Sequence, residues 1–247
     1  MNLPQTRPLR FVAGMQLLTV AVGLMAAAMA LRVLAAIGWR GLLAAFSCYG
    51  LVAAFVVIDL DRHAPHQRFG AANSVTLARA ALTALRWGVV GETMLGARDL
   101  DQSLRWLLAV AATWALVLDG VDGWIARRNG TTSRFGADFD LEVDCLFMLA
   151  LALLVYSTGQ VGVWVLSNGL MRYLFVAAGW LQPTLAAPLK PLRRRKVICA
   201  VQGAVLIATL APIFPPEVVP PLCLAGLALL SYSFGADVLS LAKAKKR

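Results

Sequence analysis

Long apolar runs, separated by short polar stretches, fill this chain. Phe11–Leu31 carries no charge and reads as a first helix that continues past Arg32. Gly41–Ile58, Trp106–Leu118, Cys145–Tyr156, Val163–Leu181, Val197–Pro212 and Val218–Ala236 repeat the pattern with few charges. Such runs approach the ~20 residues that a helix needs to cross a bilayer. Ala71–Ala97 reads as one more helix, with Arg86 deep inside it. Turns are expected at Gly38–Arg40 and Ser157–Gly162, and polar loops at Asp59–Gly70, Gly96–Arg105 and Pro183–Lys196. Pro215, Pro216, Pro220 and Pro221 mark the loop before the last span. The pattern predicts an all-α integral membrane protein of about eight transmembrane helices.

Composition agrees. Hydrophobic residues make up 60% of the 247, and the mean hydropathy is +0.72. That is too apolar for a soluble domain of this size. The formal net charge of +10 fits basic cytoplasmic loops and anionic substrates rather than nucleic acid. The first apolar run is long enough to span, so no cleaved leader is expected. Cys48, Cys145, Cys199 and Cys223 lie scattered in apolar segments without metal-ligand spacing, and read as small buried residues. With the N-terminus inside, the inner loops collect Arg7 and Arg10, Arg62 and Arg68, Arg127, Arg128 and Arg134, the 190–196 cluster and the Lys243–Arg247 tail. The outer loops keep only Arg40, Arg98 and Arg105, with Arg32 nearby, as the positive-inside rule requires. A bacterial inner membrane, with both termini and the site cytoplasmic, is the expected location.

Polar residues that interrupt this pattern carry the candidate chemistry. The segment Asp119–Asp144 places Asp119, Asp122, Asp140 and Asp144 beside apolar runs, where charge is costly and implies function. Asp119, Asp122, Gly123, Ala126 and Arg127 share one helix face, and Gly136, Asp140 and Asp144 share another. The polar stretch Arg128–Phe135, with its Asn129-Gly130 turn signal, lets the two faces meet. Carboxylates so gathered repel unless cations neutralise them, and hard divalent ions such as Mg²⁺ or Mn²⁺ suit oxygen ligands. Gly123 and Ala126 leave room for a ligand, and Arg127 offers a fixed charge for a phosphate.

Outside that segment the polar residues read more plainly. His63 and His66 flank Pro65, share no regular helical turn and read with Asp59, Asp61 and Arg62 as a solvated loop. Asn73, Thr76 and Arg79 lie close to one helix face. Capping by Asn73 or Ser74, with Thr76 bonding its own backbone, would explain them without any ligand. Arg172 either faces a cavity and binds a phosphate, pairs with an acid, or reaches for the surface. Lys190, Arg193, Arg194, Arg195 and Lys196 read as a topological anchor for anionic headgroups or as capture of a phosphorylated ligand.

The segment 119–144 resembles the signature of the CDP-alcohol phosphotransferase family, D-x2-D-G-x2-A-R-x8-G-x3-D-x3-D. All eight fixed positions are met, at Asp119, Asp122, Gly123, Ala126, Arg127, Gly136, Asp140 and Asp144. Asn73, Thr76 and Arg79 are similar to the Asn-x2-Thr-x2-Arg these enzymes show. The resemblance implies a six-helix domain over 71–240, preceded by two helices of unread role at 1–60 and followed by a basic tail at 241–247. It implies Asp119, Asp122 and Asp140 as ligands of two metal ions, and Asp144 as general base and further ligand. Asn73, Thr76, Gly123 and Arg127 would contact the CDP moiety, with Ser133 beside them. Lys196 and Gln202 are similar to an acceptor-side pair of the family, although Ile198 replaces its usual second Lys. Asp138 and Glu142 lie off the acidic face and read as interfacial charges.

The implied reaction moves a phosphatidyl group from CDP-diacylglycerol to a small polar alcohol and releases CMP. Arg172 and the 190–196 cluster favour glycerol 3-phosphate or an inositol phosphate as acceptor. Family members are often homodimers, which is the assembly the resemblance implies. The alternatives are a CDP-choline or CDP-ethanolamine enzyme with a lipid acceptor, a cation transporter, and a non-catalytic assembly subunit. Internal repeats, common in transporters, are not seen.

Overall fold

The computed structural model describes residues 6–33, 37–63, 69–96, 99–128, 132–182 and 193–245, without the side chains of 6–8, 122, 124, 126, 127, 180, 193 and 241–245. His66 and Lys190 lie outside the described residues. Eight α-helices appear: α1 Thr6–Val33, α2 Trp39–Asp59, α3 Ala71–Met94, α4 Gln102–Arg128, α5 Arg134–Ser157, α6 Ser167–Leu181, α7 Arg193–Leu210 and α8 Val219–Lys245. Two 3-10 turns, Leu60–His63 and Val163–Leu166, are the other elements among the described residues, and no strand occurs among them. Leu9–Val33, Trp39–His63, Gln102–Val121 and Val219–Ser240 are long and apolar enough to cross a membrane. This is the helical integral membrane architecture that the apolar runs predict.

Several boundaries differ from the sequence reading. The segment up to Lys196 reads as loop, yet α7 begins at Arg193, because Arg and Lys are good helix formers once the last proline, Pro191, is passed. Pro220 and Pro221 fall in the first turn of α8, not in a loop. Amides there have no intrahelical partner to lose, so proline costs little. Cys199 is exposed on α7, while Cys48, Cys145 and Cys223 are buried as expected; all four are free thiols.

Two compact units divide the chain: Met1–Leu100 with Val110–Ala150, and Asp101–Ala109 with Leu151–Arg247. In the first, α2 packs on α3 through glycines. A Cβ at Gly41 would lie 2.6 Å from the Gly88 carbonyl oxygen, and one at Gly91 would lie 2.8 Å from the Ala44 Cβ. Small residues let the two backbones come together, as in membrane helix pairs. Glu92 of α3 secures the junction. Its Oε1 accepts the Gly38 N–H at 2.9 Å and the Gly41 N–H at 2.6 Å. These are amides at the start of α2 that have no acceptor in their own helix, and the carboxylate also meets the positive end of the helix dipole. We expect Gly41→Ala to destabilise the protein in detergent by about 2 kcal/mol, since backbone rather than a movable side chain blocks the new methyl. Thermal unfolding that matches the parent would contradict this packing.

Toward its other end the same unit is aromatic. Phe69, Phe135 and Phe139 are fully buried, and Phe55 stacks on Phe135 and Phe139 with ring centroids 6.3 and 6.2 Å apart. Arg86 is 1% exposed, its guanidinium lying over the Phe147 ring at 5.1 Å. In the second unit, Arg194 of α7 meets buried Asp237 of α8 at 2.7 Å and lies over Tyr232 at 5.9 Å. Gln202 donates to Asn168 at 2.7 Å, and Arg105 Nε donates to the Leu210 carbonyl at 2.9 Å.

Candidate active site

Arg79, near the start of α3, gathers the acids. Its Nη1 lies 2.6 Å from Asp140, its Nη2 lies 2.8 Å from Asp119, and Nη2 also bonds Asp144. The guanidinium is 3% exposed, whereas the side chains of Asp119, Asp140 and Asp144 are 33%, 36% and 37% exposed. Ligand oxygens of the three acids lie within 4.8 Å of one another. Two elements make this possible. Asp119 lies on α4 beside the small residue Gly120, and Asp140 and Asp144 stand one turn apart on α5.

The charge balance favours a divalent ion. Among the described residues three carboxylates face one guanidinium, so acids outnumber bases in a partly desolvated place. Oxygen-only donors, open to solvent by about a third, suit Mg²⁺ or Mn²⁺ better than softer metals. The residues present therefore fit the metal that the sequence pattern implies. Asp122 and Arg127 lie on α4, but their side chains are outside the described residues. Gly123, also on α4, is half-buried.

The remaining sequence candidates divide. Asn73 is buried and donates to the Phe69 carbonyl at 2.5 Å. Thr76 is buried and donates to the Ala72 carbonyl at 3.1 Å. The Ser74 hydroxyl lies 3.0 Å from the Gly70 carbonyl and 2.9 Å from Gln16 Oε1, its one proton shared between the two acceptors. Neither Asn73 nor Ser74 caps the helix amides, because both point back to carbonyls; Gly70 holds the N-cap position without a side-chain bond. A Cβ on Gly136 would come 3.0 Å from Asn73 Oδ1, so its glycine lets α5 approach the start of α3. Ser133 accepts the Gly136 N–H at 3.0 Å and thereby caps α5. Arg172, partly buried on α6, and Lys196, exposed on α7, belong to the second unit.

Some roles were not legible. Arg79 reads in the sequence as one of a triplet, with no sign that it meets the acids. Its i, i+3, i+6 spacing from Asn73 and Thr76 was the available signal. His63 reads as solvated in the sequence, yet it is 1% exposed. Its Nδ1 lies 2.7 Å from Ser133 Oγ, because the 3-10 turn after α2 folds it inward. Asp237 takes both Arg194 and, at 3.6 Å, Arg195, so two cations of the basic cluster already have a carboxylate partner.

The protein-family model described as CDP-alcohol phosphatidyltransferase matches residues 69–232, from just before α3 into α8. No curated protein and no solved structure matches the chain. With most of its length matched, and with three acids of the signature, Asp119, Asp140 and Asp144, drawn together on Arg79, the chain belongs to the CDP-alcohol phosphatidyltransferase family.

Proposed function

We propose that the protein transfers a phosphatidyl group from CDP-diacylglycerol to a small polar alcohol and releases CMP. The observation that supports this most is the meeting of Asp119, Asp140 and Asp144 within 4.8 Å in a chain of this family. Asp119, Asp122, Asp140 and Asp144 would hold Mg²⁺ or Mn²⁺, two ions by the number of acids. Bound there, the metal neutralises pyrophosphate charge and stabilises the leaving phosphate.

The chain's own groups do the rest. Gly123 and Arg127 bind the CDP moiety, with Asn73, Thr76 and Ser133 lining its approach. The acceptor hydroxyl oxygen attacks the phosphorus that carries diacylglycerol. The P–O bond to CMP breaks as the new one forms, and the hydroxyl proton passes to the Asp144 carboxylate. Arg172 and Lys196 would recognise an acceptor phosphate, which favours glycerol 3-phosphate or an inositol phosphate. The catalytic helices span 71–240, and the positive-inside distribution puts the acids on the cytoplasmic side.

The test is CMP release by the purified protein in detergent with CDP-diacylglycerol and Mg²⁺ or Mn²⁺. Glycerol 3-phosphate, inositol phosphate, inositol, serine and choline are offered separately. Release that needs a phosphorylated acceptor and stops on chelation is expected. Release only from CDP-choline or CDP-ethanolamine, with a lipid acceptor, would replace this reading by the other donor type. Release from neither donor would refute transfer.

A further inference from the structure

We infer that the N-terminal helix pair braces the helix that carries Asp140 and Asp144, and that His63 is the positioning residue through which it does so. The brace begins at the cap. Ser133 Oγ accepts the Gly136 N–H at 3.0 Å, and the same oxygen lies 2.7 Å from His63 Nδ1. His63 ends the 3-10 turn that follows α2. Its ring is 1% exposed and stands edge-on to Phe135, at 5.5 Å and 75°. One residue thus holds both the hydroxyl that starts α5 and the first aromatic ring on it.

The geometry of a helix turns this grip into aim. Phe135, Phe139 and Val143 recur every fourth residue and are all buried. Gly136, Asp140 and Asp144 follow them by one position each, about 100° around the axis. Phe55 of α2 stacks on both Phe135 and Phe139. Fixing the aromatic line therefore fixes where the acids point, toward Arg79 on α3. A slip by one residue would swing them about 100° away. The α1 helix steadies the assembly, since Gln16 accepts from Ser74 at 2.9 Å and the Leu17 carbonyl accepts from Tyr49 at 2.7 Å. Phe55 and His63 precede the residues that the family model matches, which begin at 69. The brace thus joins residues outside the family match to Ser133, Phe135 and Phe139 inside it.

The test compares the full-length protein with His63→Ala and His63→Asn in detergent. Asparagine places an amide group near where Nδ1 stood. Three readouts are taken: hydrogen exchange of 132–144, Mn²⁺ affinity by spin-resonance titration, and kcat against KM for CMP release, the last of which rests on the proposed function. His63→Ala should speed exchange in the first turns of α5 and weaken Mn²⁺ binding about tenfold, as loss of an outer support for metal ligands does. It should lower kcat more than it raises the lipid KM. His63→Asn should return all three to within about twofold, and exchange at 38–42, where Glu92 caps α2, should not change in either variant. Unchanged exchange and Mn²⁺ affinity in His63→Ala would overturn the brace. If His63→Ala does not fold, His63→Asn is set against His63→Gln, whose amide reaches the Nε2 position instead; equal exchange and affinity in those two would overturn it. A parent protein that neither binds Mn²⁺ nor releases CMP would refute the proposed function, while the exchange comparison would still decide the brace.

Discussion

Asp144→Asn is expected to lower CMP release about a thousandfold, within the range that a lost general base produces, and to leave the protein folded. Asparagine keeps the shape of the side chain but cannot take the acceptor's proton. The fold should survive because Arg79 keeps its bonds to Asp119 and Asp140, at 2.8 and 2.6 Å. The neighbours Val143 and Cys145 remain buried in either case. Unfolding measured with turnover separates the two effects. Parent-like turnover would remove Asp144 from the role of base and leave it, at most, a ligand.

Arg79→Met should act on stability and metal response together. The substitution removes the cation that the described residues place among three carboxylates. Breaking such a cluster by deleting one partner is costly when it is buried. Here the acids are about one-third exposed, and water screens their repulsion. A loss on the order of 2 kcal/mol is therefore expected in chelator. Mn²⁺ should then raise the melting temperature of the variant more than that of the parent, because the ion replaces a missing charge. Equal melting in chelator would show that the guanidinium contributes nothing to holding the acids together.

Helix existence was legible throughout, because runs such as Phe11–Leu31 and Gly41–Ile58 leave few other solutions in a bilayer. The acids were legible too, since charge at Asp119, Asp140 and Asp144 breaks an apolar pattern and repeats at helical spacing. Contacts between distant segments were not. Arg79 and Asp144 are 65 positions apart, and His63 and Ser133 are 70 apart; periodicity along one helix says nothing about which face of another it meets. Polarity also misled at the basic cluster. Arg194 looks like a free anchor until α8 brings Asp237 beside it. Glu92 gave no signal at all, because a single acid late in a helix reads as an interfacial charge.

The cap that Glu92 places on α2 bears on how the protein enters its membrane. Apart, α2 would leave its Gly38 and Gly41 amides, and α3 its Glu92 carboxylate, to be met by water or headgroups at the membrane edge. Joined, each cancels the other's cost through the bonds at 2.9 and 2.6 Å. The two helices are therefore expected to be more stable as a pair than apart. The segment outside the family match is then a folding partner for the first helix inside it.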